Sequence, residues 1–220
     1  MHVTSRSLAL EFATLFVLIP CGLAAWTWEV PDGAPVILTL VLFGAYVAGV
    51  LHRDPAFSWR EEARASAPRR EWLRVLVGAL VGALALTAFA QWRAPRPFDL
   101  PLERPGLWAA VLLLYPVLSV VPQEVIYRTF LVHRYGTLFG RATPAVSAVA
   151  FGLAHLLFWN WIAVLFTLIG GGLFAWTYQR TGSLRLVVVE HALLGQAVFT
   201  VGLGRYFYGG TLDAVQAMSS

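Results

Sequence analysis

The stretch LWAAVLLLYPVLSVVPQEVIYR, residues 107–128, decides the fold of this chain. It begins as an uninterrupted apolar run and ends with two charged groups, Glu124 and Arg128, carried by the same segment. Such a run indicates a helix in hydrocarbon, where an ionisable side chain is costly and therefore marks a candidate functional site. Pro116 and Pro122 remove backbone hydrogen bonds, so the sequence predicts that this helix is kinked.

The composition is that of an integral membrane protein. The 220 residues are 58% hydrophobic and 13% charged, with a mean hydropathy of +0.68, whereas soluble domains carry roughly a quarter charged residues. The 16 Lys and Arg residues are all arginines and mostly lie between apolar runs, which indicates membrane topology rather than a nucleic-acid surface. The single cysteine, Cys21, allows no internal disulfide. We therefore expect one integral-membrane domain over 1–220, embedded in lipid and without a nucleic-acid partner.

Seven apolar runs are long enough to span, or nearly span, the roughly 30 Å of bilayer hydrocarbon. They lie at 8–26, 35–51, 72–90, 107–121, 143–159, 161–178 and 185–204. The pattern predicts an all-α, polytopic transmembrane helix bundle of about seven spans. Its fourth helix is kinked, carries the glutamate and continues beyond Pro122 to near Tyr135.

The arginines indicate how the chain crosses the membrane. Arginine-rich connections at 52–71, 134–141 and 180–185 favour a cytoplasmic N-terminus, although the connection 91–106 breaks the pattern. We expect a multi-pass protein of a bacterial inner (cytoplasmic) membrane. The proline-rich linker 93–105 is expected to be extended.

One carboxylate and two imidazoles lie inside apolar segments of the second half of the chain. Glu124 and Arg128 share a helix face, either as a structural ion pair or as an acid oriented by its arginine. His155 follows Phe151 by four residues, and the alternative to a functional role is a buried imidazole bonded to a backbone carbonyl. His191 could equally be an interfacial residue near the headgroups. Together, an acid and two imidazoles suffice to activate a water for hydrolysis.

Other chemistry has less support in the sequence. Glu11, in the first span, is expected to be a lone buried acid that is protonated or directed at a partner helix. The chain contains neither a Gly-x-Ser-x-Gly nucleophile elbow nor an HExxH motif, so serine-hydrolase and zincin-like mechanisms have no sequence basis.

The polar segments, in this order and spacing, resemble the CPBP family of intramembrane proteases (CAAX protease and bacteriocin-processing, or Abi), which includes Rce1-like CAAX endopeptidases. The family motifs are Glu-Glu-x-x-x-Arg, Phe-x-x-x-His, and His followed four residues later by Asn or Asp. Their counterparts here are Gln123–Arg128, Phe151–His155 and His191–Gly195. The resemblance covers roughly 107–204, and 1–90 would form accessory transmembrane helices.

The resemblance implies an intramembrane endopeptidase of the glutamate type. Glu124 and His155 would activate a water, Arg128 would orient the carboxylate, and His191 would stabilise the tetrahedral intermediate. A donor to the oxyanion is typically worth about 3–4 kcal/mol of barrier. The substrate would be a membrane-anchored or membrane-proximal peptide, such as a C-terminal sorting tag or a pheromone or bacteriocin-type precursor.

Two positions depart from the family pattern. Gln123 replaces the first glutamate, and an amide cannot accept a proton near neutral pH. Gly195 replaces the asparagine and carries no side chain. The amide of Gln196, one position later, could replace the asparagine as a donor only if the helix unwound locally. Asn160, at the end of a span, is a more remote candidate for the same role.

Three alternatives remain open. A zinc-dependent protease would use Glu124, His155 and His191 as a His₂Glu site, although no metal or other cofactor is favoured. A non-catalytic member would act as an immunity protein or as a scaffold that binds a membrane peptide. A small transporter with a proton relay is least supported, because the sequence has no duplicated half.

Overall fold

The computed structural model of the protein describes residues 5–30 and 36–207, and this part of the chain is helical without a β-strand. We number its helices α1 Ser5–Glu29, α2 Val36–Arg53, α3 Trp59–Arg64, α4 Arg69–Arg93, α5 Asp99–Glu103, α6 105–139, α7 Thr143–Ala154, α8 Trp161–Thr181 and α9 Leu184–Thr200. A 3₁₀ turn, His155–Phe158, extends α7. The predicted all-α class is confirmed.

Five helical stretches of the described residues are long and apolar enough to cross a membrane. They are Ser5–Glu29, Val36–Arg53, Arg69–Arg93, Pro105–Phe158 and Trp161–Thr181. The fourth stretch contains both α6 and α7. Between these two helices the chain reverses at Gly140, where a positive φ of 52° suits a residue without a side chain. Helix α9 has 17 residues. The polytopic bundle is confirmed, whereas the number of seven spans stays a prediction.

Lipid-facing character is clearest on α4. Its exposed surface includes a row of large apolar side chains, namely Leu73, Leu76, Val77, Leu80, Val81 and Leu84. Exposed apolar area of this extent is rare on soluble monomers but normal against hydrocarbon. The helix composition and its outer surface therefore both indicate a membrane-embedded protein.

Helix α6 departs from α geometry at its prolines, as the sequence predicts. Pro116 begins a π-helical turn, Pro116–Val120, and a second π turn, Val125–Phe130, follows Pro122 and the motif glutamate. Pro116 has no N–H, so the carbonyl of Leu112, four residues earlier, lacks its usual α-helical donor. The side-chain amide of Gln196 in α9 donates to that carbonyl instead, at 2.8 Å. The irregular part of α6 is thus fixed to α9.

The main hydrophobic core surrounds the glutamate motif. Its buried members come from six helices and include Phe16, Val47, Leu51, Ile126, Phe130, Phe151, Phe174 and Val187. Helix α2 approaches α6 very closely, because a β-carbon on Gly44 would lie 2.9 Å from that of Pro122. Helices α6 and α7 run antiparallel, with the Ser147 hydroxyl donating to the Tyr127 carbonyl at 2.8 Å. The motif is therefore packed from several sides.

Two sequence-based expectations need correction. The linker 93–105 is not extended throughout, because Asp99–Glu103 forms the short helix α5. Glu11 is not a lone acid: its carboxylate accepts two hydrogen bonds from the Arg134 guanidinium, both at 2.9 Å, and one from the Tyr135 hydroxyl at 2.8 Å. It is directed at a partner helix, α6, which supplies the charge that an acid in this span needs.

Candidate active site

Glu124 lies at the centre of the site and has no exposed surface. Its Oε2 is 3.1 Å from Nε of Arg128, which is also completely buried. The Nε–H does not point along this contact, so the two groups form an ion pair without a directed hydrogen bond. Among the described residues, no donor is aligned with Oε2, and this oxygen keeps an unused acceptor position.

The Arg128 guanidinium is held by groups from α7 and α8. Its two terminal nitrogens donate to the Ser147 hydroxyl at 3.3 Å and to the Gly171 carbonyl at 3.4 Å. The central carbon of the guanidinium lies 5.0 Å from the ring of Phe151 and 5.6 Å from that of Phe174, within the range of cation–π attraction. A buried charge needs such partners, and they fix the arginine beside the carboxylate.

His191 supplies the closest contact to the carboxylate. Its Nδ1 is 2.7 Å from Glu124 Oε1, and because an ionised carboxylate can only accept, Nδ1 carries the proton. In the neutral ring Nε2 is then an acceptor, and the Tyr115 hydroxyl lies 3.2 Å from it. The imidazole stacks on Phe174 with centroids 4.5 Å apart. His191 is 5% exposed, so its ring is enclosed by the protein.

His155 lies near the pair but is not bonded to it among the described contacts. Its Nδ1 is 2.7 Å from the Phe151 carbonyl, which is the backbone contact of a structural histidine. That bond places the proton on Nδ1 and leaves Nε2 for a ligand or a water. The rings of His155 and His191 both pack edge-on against Phe151, at 4.7 and 5.6 Å between centroids. The imidazole bonded to Glu124 is therefore His191, whereas the shared activation of a water by Glu124 and His155 stays a prediction.

Gln123 points its amide nitrogen at the Ser119 hydroxyl, 2.8 Å away and one turn earlier in α6. Its amide oxygen is buried and accepts no hydrogen bond from the described residues. Buried oxygens without donors are uncommon in native structures and call for an explanation. Gln123 Oε1 and Glu124 Oε2 thus provide two acceptors on consecutive residues for a donor from a bound peptide or water.

Gly195, one turn after His191, leaves space that another residue fills. A β-carbon built on Gly195 would collide with the ring and hydroxyl of Tyr115. The two amides considered as substitutes are occupied elsewhere: Gln196 donates to the Leu112 carbonyl, and the Asn160 side chain caps α8 by accepting from the Ile162 N–H at 2.9 Å. Neither amide reaches the site.

Some residues in and around the site are not indicated by any sequence pattern. Tyr115, Ser147 and Phe174 are residue types common in any apolar helix, and only their tertiary contacts identify them. Glu190, next to His191, is a further buried acid: it is 2% exposed, and its Oε2 has no hydrogen-bond partner among the described residues. An acid inside an apolar run is detectable from sequence alone.

The described residues contain no group of three His, Cys, Asp or Glu side chains arranged to hold a metal ion. Glu124 and His191 face one another directly, and Nδ1 of His155 is bonded to the Phe151 carbonyl. In this arrangement the three residues do not fit the His₂Glu zinc site considered from the sequence.

Comparison with known proteins assigns the segment that carries this site. The family model described as type II CAAX prenyl endopeptidase Rce1-like matches residues 105–195, from the start of α6 to Gly195. No curated protein and no solved structure matches the chain. The matched segment contains every residue of the three motifs, together with Tyr115, Ser147 and Phe174. Residues 105–195 are therefore similar to the Rce1-like endopeptidases, which supports the resemblance to the CPBP family of intramembrane proteases.

Proposed function

We propose that this chain is an intramembrane endopeptidase that hydrolyses a peptide bond with a water activated by the Glu124–His191 pair. The observation that carries the proposal is the 2.7 Å hydrogen bond between His191 Nδ1 and Glu124 Oε1 inside a buried site. A carboxylate that holds one ring nitrogen fixes the tautomer and makes the other nitrogen a better base. The Rce1-like assignment of residues 105–195 supports proteolysis as the reaction.

The proposed reaction uses the imidazole as both base and acid. His191 Nε2 removes a proton from the water while its oxygen attacks the carbonyl carbon and the carbonyl π electrons move to oxygen. The resulting imidazolium is stabilised by Glu124, whose own charge is balanced by Arg128. When the carbon–nitrogen bond breaks, the imidazolium returns the proton to the leaving nitrogen. His155 orients the attacking water through Nε2, since its Nδ1 is bonded to the Phe151 carbonyl.

Gln123 has a binding role in this proposal instead of the role of a base. Its amide oxygen, which accepts no hydrogen bond from the described residues, is suited to accept from a backbone N–H group of an extended peptide. The substrate is a membrane-anchored or membrane-proximal peptide, because the site lies in the middle of apolar helices. A C-terminal sorting tag or a pheromone or bacteriocin-type precursor meets this description, in a bacterial inner membrane with the N-terminus of the enzyme on the cytoplasmic side.

The test compares peptide termini in membranes from cells that carry the wild-type chain, Glu124→Gln, His191→Gln or the control Glu103→Gln. Glu103 is a matched acid whose side chain is 55% exposed and lies in α5, away from the motifs. Mass spectrometry should find termini near membrane anchors that are present with the wild type and the control and absent with both site variants. Unchanged termini in Glu124→Gln, at equal protein level, would refute the proposal.

The second candidate is a non-catalytic scaffold that binds a membrane peptide, which Gln123 and Gly195 favour. It predicts that the set of termini is the same in all four strains. It also predicts that a peptide crosslinked to the wild-type chain is still captured by Glu124→Gln. A peptide-cleavage assay with the purified protein distinguishes a zinc-dependent protease from both candidates. Cleavage by a zinc-dependent protease would stop when a zinc chelator is added and return when zinc is restored.

A further inference from the structure

The hydroxyl of Tyr115 occupies a defined position at the active imidazole. It lies 3.2 Å from His191 Nε2, the nitrogen on the opposite side of the ring from Glu124. The Tyr115 ring packs edge-on against Phe199, with centroids 5.1 Å apart. Because Nδ1 donates to the carboxylate, the phenol donates its proton to Nε2. The three groups form a continuous chain of carboxylate, imidazole and phenol.

The same turn of α6 is anchored to α9 on two sides. Three residues before Tyr115, the Leu112 carbonyl accepts the Gln196 amide, since Pro116 cannot supply the N–H that this carbonyl would receive in a regular helix. On the other side, Gly195 admits the phenol ring, because a β-carbon there would collide with it. Both neighbouring residues of α9 therefore serve to seat Tyr115, one by bonding its turn and the other by having no side chain.

We propose that Tyr115 is a catalytic residue that stabilises the oxyanion of the tetrahedral intermediate, and that Gly195 makes room for it. The inference rests on the proposed endopeptidase function and adds a donor to it. At rest the hydroxyl is bonded to His191 Nε2. When a peptide binds, its carbonyl oxygen replaces Nε2 as the acceptor of the Tyr115 proton.

This exchange couples the two halves of the reaction. Nε2, released from the phenol, is free to accept the proton of the attacking water as the new carbon–oxygen bond forms. The negative charge that develops on the carbonyl oxygen is held by the Tyr115 O–H, which keeps its own proton throughout. After the carbon–nitrogen bond breaks and the imidazolium has protonated the leaving nitrogen, the hydroxyl bonds to Nε2 again. No further reactant is required.

The experiment uses the purified full-length chain in lipid nanodiscs and a fluorogenic peptide anchored by a farnesylated C-terminal Cys-aliphatic-aliphatic-X sequence. Tyr115→Phe removes the oxygen and keeps the ring. Loss of an oxyanion donor typically lowers kcat by about 10²–10³-fold, and we expect this fall with KM within about threefold of the wild type. Tyr46→Phe, an exposed tyrosine on α2, is the matched control and should change neither constant.

A second readout separates catalysis from the positioning of His191. A phosphinic analogue of the peptide carries the tetrahedral centre and its anionic oxygen. From the wild type to Tyr115→Phe, the inhibition constant of this analogue should rise by the same factor as kcat/KM falls. If Tyr115 only positioned the imidazole, the substitution would weaken cleavage without a matching loss of analogue binding. Thermal unfolding of both proteins controls for folding.

The relation to Gly195 is tested by exchange of the two side chains. Gly195→Asn alone should be inactive and less stable, because its side chain collides with Tyr115. Tyr115→Ala alone should lose the donor and fall by the same 10²–10³-fold as Tyr115→Phe. The double variant Tyr115→Ala with Gly195→Asn should regain at least tenfold over either single variant, since an amide then fills the space of the phenol.

The outcomes distinguish this inference from the function on which it rests. Cleavage by Tyr115→Phe within twofold of the wild type, with Glu124→Gln inactive, overturns the role of Tyr115 and leaves the endopeptidase intact. Equal cleavage by wild type and Glu124→Gln, or no cleavage of this peptide together with unchanged termini in cells, overturns both.

Discussion

Glu124 and Arg128 are joined at 3.1 Å between Oε2 and Nε, and neither side chain has any exposed surface. Removal of one partner from such a pair leaves an uncompensated buried charge. We predict that Arg128→Met, which keeps the length of the side chain, lowers the free energy of unfolding by about 3–5 kcal/mol. Equilibrium unfolding in detergent micelles is the measurement.

The matched control for that prediction is an exposed pair. Arg96 and Glu103 are 3.5 Å apart, with side chains 73% and 55% exposed. Ion pairs of this kind contribute about 0–1 kcal/mol, so Arg96→Met should change the unfolding free energy by no more than that. Equal losses in Arg128→Met and Arg96→Met would mean that burial does not control the stability of the site.

The close approach of α2 to the motif gives a second prediction. Gly44→Ala would bring a methyl group to 2.9 Å from Pro122 Cβ and push α2 away from the helix that carries Glu124. Overpacking of this kind costs about 1–3 kcal/mol, and we expect a lower midpoint of thermal unfolding and reduced cleavage. Gly49→Ala on the same helix has no atom within 4 Å of its added carbon and should be neutral or stabilising. A destabilised Gly49→Ala protein would contradict the interpretation.

The hydrogen bond between Gln196 and the Leu112 carbonyl predicts that substitutions of Gln196 and Pro116 are coupled, which a double-mutant cycle can measure. Gln196→Leu leaves a carbonyl unpaired inside the bundle, at a cost of about 1–3 kcal/mol. Pro116→Ala restores an N–H that can donate to the same carbonyl. The cost of Gln196→Leu should therefore be smaller in the Pro116→Ala background than in the wild type, as measured by unfolding free energies of the four proteins. Additive costs would show that the proline does not explain the bond.

Glu62, in the short helix α3 outside the spanning segments, predicts a pH dependence. Burial raises the pKa of its carboxyl above the ordinary 4.5, although hydrogen bonds from Tyr178 and Thr129 oppose the shift. The folded protein thus binds this proton more tightly than the unfolded chain does. The stability that this provides is fully present below about pH 4.5 and is lost as pH rises through the folded-state pKa.

Glu62→Gln keeps a neutral side chain at every pH, so its unfolding midpoint should rise relative to that of the wild type over the interval in which the pH increases from about 4.5 through the folded-state pKa of Glu62. Glu61→Gln replaces an exposed neighbour and should show a smaller change over the same interval. If the difference in unfolding midpoint between the wild type and Glu62→Gln did not change with pH, the raised pKa of Glu62 would be contradicted. The readout is thermal unfolding at four or more pH values.

Much of the fold was predictable from local patterns. The apolar runs located the long helices to within a few residues, since length and hydropathy are properties of the segment itself. The prolines of α6 indicated where its irregular turns lie, because a proline in the interior of a helix removes a backbone hydrogen bond, whereas one in the first turn does not. The helix within the linker 93–105 was missed, because Pro101 near the start of a short helix is compatible with helical geometry.

The motif residues of the candidate site were recognisable from the sequence, but their pairing and the residues around them were not. Spacing along one helix places Glu124 beside Arg128. Whether Glu124 then meets His155 or His191 depends on how three helices pack, and no spacing rule contains that information. Tyr115 could not be predicted for the same reason, because nothing in its own segment distinguishes it. Its position depends on the space left by Gly195, 80 positions later in the chain.

The mutual exclusion of a ring at position 115 and a side chain at position 195 has an evolutionary consequence. Each substitution on its own would be rejected, one for a collision and the other for an empty space beside His191. Related chains should therefore fall into two lineages, one with an aromatic residue and a glycine and the other with a small residue and an amide. The two columns of an alignment should change together, and rarely through an intermediate.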